Sequence, residues 1–313
     1  MSVLITGIAG FAGSYLADLL HQMTSDIIGI DRLVQPEKNK KTGFQIYNCD
    51  LTDFDETHKI IHQIKPDTIF HLAALSSVKQ SFREPKLTIE TNIKSTLNIL
   101  ESVRQHEIKC KILLITSGEI YGNVDKKNLP IREEQYLRPI SPYAFSKACV
   151  DLLGYQYYHS YNQDIIRIRP FNHIGPRQSL GFVIQDFASQ IAKIEKYGGN
   201  KIIKVGNTEV KRDFTDVRDI VKGYYLASEK CTAGEAYNIC SGKAYSLIEL
   251  LEILTSYSKI KFQIEPSASH LRPTDIPILV GDYSRLQEKT GWEPTIPIEN
   301  SLLDILNFWR NTV

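Results

Sequence analysis

The residues with the clearest chemical potential are a tyrosine and a lysine four positions apart, Tyr143 and Lys147. On a helix this spacing places both side chains on one face, one turn apart. An ammonium group beside a phenol stabilises the phenolate, so we expect the pKa of Tyr143 to fall below its ordinary value of about 10. Such a pair can exchange a proton with a carbonyl or an alcohol near neutral pH. Because the chain has 16 tyrosines, the spacing alone favours a chance pair on a solvated helix face.

The elements around this pair alternate between short apolar runs and helical patterns. Such alternation predicts an α/β fold with a doubly wound parallel Rossmann sheet. After Pro170 the pattern becomes less regular, which predicts a smaller mixed α/β C-terminal substrate lobe. We assign residues 1–170 plus 213–240 to the Rossmann domain, and residues 171–212 plus 241–313 to the smaller lobe. The predicted strands are Val3–Thr6, Ile27–Asp31, Gln45–Tyr47, Thr68–Leu72, Lys111–Thr116, Ile165–Arg169 and Lys201–Val205, and the predicted helices include Ile93–Val103, Pro142–Tyr161, Val183–Ile194, Leu247–Tyr257 and Ile298–Trp309.

A glycine-rich turn near the N-terminus predicts a nucleotide site. The apolar run Val3–Ile5 precedes Gly7, Gly10 and Gly13, and an amphipathic helical pattern follows. Glycines allow the backbone to close tightly on a pyrophosphate, which the N-terminus of the next helix then binds. A plain strand–helix turn in another kind of α/β protein is the alternative interpretation.

An acidic residue at the end of the second predicted strand favours the cofactor site over that alternative. The apolar run Ile27–Ile30 ends in Asp31, where a carboxylate suits the ribose hydroxyls of an adenosine. The neighbouring Arg32 leaves the choice of cofactor open. Asp31 repels a 2′-phosphate, whereas Arg32 can pair with one, so both NADH and NADPH remain candidates.

Composition narrows the class of protein. The 313 residues are 42% hydrophobic and 23% charged, with a net charge of +1, which gives no reason to expect a nucleic acid or a membrane surface as partner. The longest apolar runs are a few residues long, too short to span a bilayer. The five cysteines have no metal-binding or redox spacing, so we predict no metal site and a reducing, cytoplasmic location.

Several ordered motifs extend this interpretation over nearly the whole chain. The chain resembles the extended short-chain dehydrogenase/reductases that act on nucleotide sugars. Within that family, RPFNHIGPRQ at 169–178 and LRPTDIPILVGDYSRL at 271–286 are most similar to GDP-4-keto-6-deoxy-D-mannose reductases. The other matching stretches are TGIAGFAGS at 6–14, Asp31, CDLTD at 49–53, HLAALSSV at 71–78, TSGEIYG at 116–122, SPYAFSK at 141–147, RDFTDVRD at 212–219 and YNICSG at 237–242.

The resemblance implies NADPH or NADH as cofactor and a catalytic group that includes Tyr143, Lys147 and Ser117. Tyr143 would donate the proton, Lys147 would lower its pKa and hold the nicotinamide ribose, and Ser117 would polarise the sugar carbonyl. Glu119 stands near them as a further candidate. The implied cofactor-binding residues are Gly7, Gly10, Phe11, Ala12, Gly13, Asp31, Arg32, Asp50, Leu51, Leu72, Ala73, Ala74, Tyr143 and Lys147.

The resemblance also implies a GDP-sugar substrate and a homodimer formed through helices that include the one bearing Tyr143. Simpler interpretations compete with the implied contacts. Asn172 fits a backbone contact equally well, Arg212 fits an ion pair with Asp213 or Asp216, and Arg272 fits a solvated side chain. The implied substrate-binding residues are Ser76, Glu119, Asn172, Arg177, Arg212 and Arg272.

The segment Ser117-Gly118-Glu119 separates the reactions known in the resembled family. Related 4,6-dehydratases carry Asp or Ser at the second position and Glu at the third, whereas Gly118 can donate nothing. Related epimerase-reductases carry Cys where Glu119 stands. We therefore predict reduction of the C4 ketone of GDP-4-keto-6-deoxy-D-mannose to GDP-D-rhamnose, for surface polysaccharide. A 4,6-dehydratase, a 4-epimerase and a non-catalytic NAD(P)-binding regulator remain alternatives.

Overall fold

The computed structural model describes residues 2–23, 26–32, 44–267 and 275–313. In that part of the chain the largest sheet has seven strands in the order β10-β6-β5-β4-β1-β2-β3, and every neighbouring pair is parallel. This arrangement confirms the predicted doubly wound Rossmann sheet. Its strands are β1 Val3–Thr6, β2 Ile27–Asp31, β3 Gln45–Asn48, β4 Thr68–His71, β5 Lys111–Ile115, β6 Asp164–Pro170 and β10 Ala236–Ile239.

Helices cover both faces of this sheet because its strands are apolar on both sides. Ile5 and Leu113 belong to the core of one face, and Leu4 and Leu114 belong to the core of the other. The first core is completed by helices α1 and α7, and the second by helices α2, α4 and α5. These helices are α1 Phe11–His21, α2 Phe54–Ile64, α4 Pro85–Gln105, α5 Pro142–Tyr161 and α7 Val217–Lys230, and a short helix α3 Val78–Arg83 precedes α4.

Helix α5 carries the tyrosine–lysine pair, and local sequence signals set both of its ends. Ser141 caps the N-terminus by accepting a hydrogen bond from Ala144 N, and Pro142 occupies the first turn. Asn162 ends the helix in the left-handed conformation. The prediction for this helix is confirmed at both ends, whereas α4 begins eight residues before the predicted Ile93.

The smaller lobe contains a four-stranded mixed sheet and a two-stranded sheet, counted over the described residues. Strand β9 lies within the predicted segment 213–240 for most of its length, yet it pairs with β7, β11 and β13 of this lobe. The division into two lobes by residue number stays a prediction. The lobe comprises β7 Asn172–Ile174, α6 Val183–Tyr197, β8 Ile202–Val205, β9 Lys211–Asp216, β11 Ala244–Ser246, α8 Leu247–Ser256, β12 Gln263–Pro266, β13 Ile278–Leu279 and α10 Ile298–Thr312, and α9 Ser284–Thr290 packs on β10 and α7.

The described ranges contain neither a helix that could span a membrane nor a cluster of side chains that could hold a metal ion. None of the helices in those ranges is both long enough and apolar enough to cross a bilayer. The same ranges contain no group of three or more His, Cys, Asp or Glu side chains arranged to hold a metal ion.

Candidate active site

The main cavity lies at the carboxyl ends of the central strands, where ligands bind in open parallel sheets. Its volume is about 820 Å³, and its walls come from the glycine turn, the ends of β2, β4 and β5, and the first turns of α5. Every residue predicted to bind the cofactor lines it. The lining includes Gly7, Gly10, Phe11, Ala12, Gly13, Asp31, Arg32, Asp50, Leu51, Leu72, Ala73, Ala74, Tyr143 and Lys147, together with Ser76, Ser117, Glu119, Asn172 and Arg177.

The glycine turn has the close backbone packing that a diphosphate cradle requires. Gly7 has a φ of +70°, and a Cβ there would lie 2.9 Å from the Ala73 backbone. A Cβ at Gly13 would lie 2.1 Å from the Gly7 carbonyl oxygen. Helix α1 begins after Gly10 without a side-chain cap and without an acid in its first turn. The free N–H groups of that turn therefore lie at the cavity, and the helix dipole gives this end of α1 a partial positive charge. Both features fit the diphosphate of a dinucleotide.

The two acids predicted to bind the adenosine part of the cofactor, Asp31 and Asp50, accept hydrogen bonds from nearby backbone N–H groups. Ala9 N donates to Asp31 Oδ2 over 2.9 Å, so Asp31 braces the glycine turn as well as lining the cavity. Asp50 accepts hydrogen bonds from the backbone and hydroxyl of Thr52, and these bonds together with the Arg32 charge lower the pKa of Asp50. The residues present therefore fit a nicotinamide adenine dinucleotide.

The three residues predicted to carry the chemistry meet at the inner end of this cavity. Ser117 follows β5 and begins the 3-10 turn Gly118–Tyr121. The Tyr143 hydroxyl is near enough to the Ser117 side chain for hydrogen bonding from Ser117 to lower the pKa of Tyr143, and Glu119 N donates to Ser117 Oγ over 3.1 Å. Lys147 Nζ donates to the Ile115 carbonyl oxygen over 2.7 Å. The structure thus places a phenol, a hydroxyl and an ammonium group around one point.

The structure contradicts the expectation that Lys147 lowers the pKa of Tyr143. Burial raises the pKa of Tyr143 to about 12, the hydrogen bond from Ser117 opposes this, and the Glu119 charge adds to it. The Lys147 ammonium is directed at the Ile115 carbonyl, and burial lowers the pKa of Lys147 to about 8. Tyr143 is therefore a protonated phenol at neutral pH, which is the form that a proton donor needs.

A buried histidine beneath the pair was part of a matching motif but received no predicted role. His71 Nδ1 lies 2.8 Å from Thr6 Oγ1, and His71 Nε2 lies 3.0 Å from Thr96 Oγ1. Burial, and secondly the Lys147 charge, lower the pKa of His71 to about 3. The imidazole is therefore neutral, so it satisfies two hydroxyls without placing a second cation near Lys147.

A second, smaller cavity adjoins the first and contains the predicted substrate-binding Arg212. Asn172 lines both cavities, as does Lys79, which sequence reasoning missed. Arg212 is buried and forms an ion pair with Asp275, instead of the pair with Asp213 or Asp216 that sequence allowed. Arg272 lies outside the described residues.

Arg177 lies at a different place from Arg212. Its guanidinium lies 3.7 Å from the centre of the Tyr15 ring and donates to Asp18 Oδ2 over 2.9 Å. Both partners belong to α1, so the structure sets Arg177 beside the glycine turn, although the resemblance implied a contact with the substrate. Whether Arg177 contacts substrate or cofactor stays a prediction.

The comparisons with known proteins agree with this geometry. The sequence profile of the family described as GDP-mannose 4,6 dehydratase matches residues 4–305. The chain belongs to this family. The solved structure described as RMD from Pseudomonas aeruginosa, complexed with NADPH, superimposes with a TM-score of 0.88, is 32% identical and covers 100% of both chains. The protein is therefore an NAD(P)-dependent oxidoreductase of the extended short-chain dehydrogenase/reductase class, and the predicted family, fold and cofactor are confirmed.

Two relatives in this family differ in the reaction named for them. A GDP-6-deoxy-D-mannose reductase of Pseudomonas aeruginosa is 36% identical over 248 residues, which are 79% of this chain and 82% of the relative. A UDP-glucuronate 4-epimerase of Thermodesulfobacterium geofontis is 30% identical over 324 residues, which are 99% of this chain and 96% of the relative. Membership therefore leaves the reaction to be argued from the site.

Proposed function

We propose that this protein reduces the C4 ketone of GDP-4-keto-6-deoxy-D-mannose to GDP-D-rhamnose, with NADPH or NADH as the hydride source. The observation that carries the proposal is the packing at position 118, between Ser117 and Glu119. A Cβ at Gly118 would lie 2.9 Å from three ring carbons of Phe171, which is 3% exposed. The polar side chain that a 4,6-dehydratase carries at this position therefore has no room.

The proposed reaction needs one hydride and one proton, and the chain supplies the proton. Bound reduced nicotinamide supplies the hydride to C4 of the sugar. Ser117 donates a hydrogen bond to the ketone oxygen, and Tyr143 transfers its phenolic proton to the alkoxide that forms there. The Lys147 ammonium, charged below pH about 8, lines the same cavity and stabilises the negative charge that develops on the sugar oxygen. Burial of all three groups keeps water away from the transfer.

The second cavity supports a nucleoside diphosphate as the rest of the substrate. Its walls carry three cationic side chains, Lys79, Lys204 and Arg212. Asn172 connects it to the catalytic cavity, so a sugar at Ser117 and a diphosphate at Arg212 can belong to one molecule. The choice of a GDP-sugar follows the resemblance to GDP-4-keto-6-deoxy-D-mannose reductases and the similarity to the Pseudomonas aeruginosa reductase.

The decisive experiment supplies GDP-mannose and a separate GDP-mannose 4,6-dehydratase, and then adds this protein with NADPH or NADH. We expect one reduced cofactor to be consumed per keto-sugar, with GDP-D-rhamnose as the product identified by NMR. Omission of the dehydratase is the control, and it should abolish cofactor consumption. Conversion of GDP-mannose to the keto-sugar by this protein alone would identify a dehydratase. Interconversion of sugars without net cofactor loss would identify an epimerase.

Three finer expectations stay predictions. Helix α5 exposes large apolar side chains, including Phe145, Leu152 and Tyr155, which supports the predicted homodimer through this helix. The cytoplasmic location was predicted from cysteine usage, and the role in surface polysaccharide, including lipopolysaccharide, follows from the proposed substrate. Both are tested by locating the protein and its product in cells.

A further inference from the structure

A buried carboxylate lies one helical turn after Lys147 and holds two arginines of β6. Asp151 is completely buried. Arg167 Nη1 donates to Asp151 Oδ1 over 2.8 Å. Arg169 donates twice, from Nε to Oδ2 and from Nη2 to Oδ1, each over 2.8 Å. Asp151 therefore anchors the middle of α5 to β6, close to the residues that carry the chemistry.

Arg169 extends this anchor to the turn that follows Ser117, whereas Arg167 does not. Arg169 Nη1 donates to the Tyr121 hydroxyl over 2.9 Å, and the Tyr121 hydroxyl donates to Asn238 Oδ1 over 2.7 Å. Tyr121 is the last residue of the 3-10 turn Gly118–Tyr121, whose N-terminal cap is Ser117. The second amino group of Arg167 donates instead to the Gly234 carbonyl oxygen, in the loop before β10.

The other side of the same turn is also connected to Asp151. Thr116 directly precedes Ser117, and its hydroxyl donates to the Ile168 carbonyl over 2.9 Å and contacts Asp151 Oδ2 at 3.4 Å. The turn that presents Ser117 is thus held at both ends by groups bonded to Asp151 or to its partner Arg169. The same carboxylate holds the helix that presents Tyr143 and Lys147.

We propose that Asp151, Arg169 and Tyr121 form a positioning network that sets the distance between the Ser117 hydroxyl and the Tyr143 phenol. The inference rests on the proposed roles of Ser117 and Tyr143. Buried ion pairs add little net stability over apolar packing, so stability alone does not account for this one. The guanidinium is planar, and its N–H groups point in fixed directions. When it joins a carboxylate on a helix to a phenol on a turn, it therefore fixes the orientation of both groups as well as balancing the charge.

The test compares the same substitution at two arginines that share one carboxylate. Arg169→Lys keeps the positive charge but cannot bond Asp151 and Tyr121 together in the same geometry. Arg167→Lys is the matched control, because it loses the same kind of bond to Asp151 without touching the turn. We expect Arg169→Lys to speed amide hydrogen exchange in residues 117–122, and Arg167→Lys to leave exchange there at the wild-type rate. This measurement needs no substrate, so it remains decisive if the proposed reaction is wrong.

The kinetic arm uses the keto-sugar reduction, measured well below the melting temperature of each variant. We expect Arg169→Lys to lower kcat by about tenfold, since small displacements of reacting groups are costly, with KM and the Kd for NADPH unchanged. The solvent deuterium isotope effect on kcat should rise because proton transfer becomes the slow step. Tyr121→Phe, which keeps the ring and removes the hydroxyl, should act in the same direction. Equal effects of Arg169→Lys and Arg167→Lys on exchange and on kcat would overturn the inference, as would no effect of either.

Discussion

Two buried cations, Lys147 on α5 and Arg169 bonded to the next turn of that helix, behave differently in this molecule. Residues Lys147 and Arg169 are 5% and 4% exposed. Lys147 donates to a neutral acceptor, the Ile115 carbonyl, whereas Arg169 is bonded twice to the Asp151 carboxylate. The two sites therefore share burial and differ in the charge of the hydrogen-bond acceptor.

The acceptor decides what each cation can do. Burial lowers the pKa of Lys147 to about 8, within reach of physiological pH. Burial also lowers the pKa of Arg169, but the hydrogen bonds and charge of Asp151 raise it further, to above its ordinary value. Asp151 shows the converse, because burial raises its pKa while Arg169 and Arg167 lower it by more. A buried cation with a neutral acceptor can thus change its protonation state near physiological pH. A buried cation bonded to a carboxylate keeps its charge and fixes the positions of its partners.

The largest expected effect concerns Tyr143, the proposed proton donor one helical turn before Lys147. Tyr143→Phe removes the transferable proton, so kcat should fall by roughly 10²–10⁴-fold, the range for general acid catalysis. The Kd for NADPH, measured by fluorescence titration, should stay close to wild type because the ring remains. Phe145, exposed two residues later on α5, allows a matched control in Phe145→Tyr, which should keep full activity. Full turnover by Tyr143→Phe would refute the proposed role of this residue.

The next largest effect is a loss of stability when the carboxylate of Asp151, which balances the charge of Arg169, is removed. Asp151→Asn removes the carboxylate and leaves two buried guanidinium groups without their counter-charge, so the free energy of unfolding should fall by about 3–5 kcal/mol. Urea unfolding monitored by circular dichroism measures this. Asp164→Asn, at the exposed start of the same strand as both arginines, should change stability by less than about 0.5 kcal/mol. A loss at Asp151 no larger than that control would remove the distinction between the two sites.

Removal of the Lys147 charge, which has no carboxylate as hydrogen-bond acceptor, should raise the stability of the protein instead of lowering it. Lys147 is charged at pH 7 in both the folded and the unfolded chain, but its folded pKa of about 8 is depressed, so its buried charge opposes folding. Lys147→Met should therefore raise the free energy of unfolding at pH 7 by roughly 1–3 kcal/mol. This advantage should shrink between pH 8 and pH 10.5, where the wild-type lysine folds without its proton. A variant that is less stable than wild type at pH 7 would contradict the argument.

The last prediction concerns how the activity of the wild-type enzyme depends on pH. In the proposed mechanism activity depends on the charged form of Lys147, so kcat/KM should be constant below pH about 8 and fall about tenfold per pH unit above it. Tyr143, with a pKa of about 12, stays protonated across this range. Far-ultraviolet circular dichroism at each pH checks that the fold persists. A flat profile to pH 9.5 would mean that the charge on Lys147 is not required.

Local sequence signals were enough to predict the central sheet and the helix of the active site. The strands of the parallel sheet are apolar on both faces, so they stand out as short uninterrupted runs, and β1 and β2 match their predicted bounds. Ser141, Pro142 and Asn162 mark the ends of α5 by residue type alone. The smaller lobe was harder to predict because β9 pairs with three strands that are short and come from distant parts of the chain.

Residue types and spacing also identified which side chains meet at the cavity, since strand ends in a parallel sheet converge whatever the details of packing. They could not show how those side chains are charged. The pKa of Tyr143 rises instead of falling because burial outweighs its neighbours, and the burial of a side chain depends on the whole fold. The partner of Arg212 lies 63 residues away, and Asp151 acquires its arginines only when α5 packs on β6. The sequence by itself therefore determined which residues line the cavity, because short motifs identify them. The charge states and ion-pair partners of those residues required the three-dimensional structure, because they depend on distances across the fold.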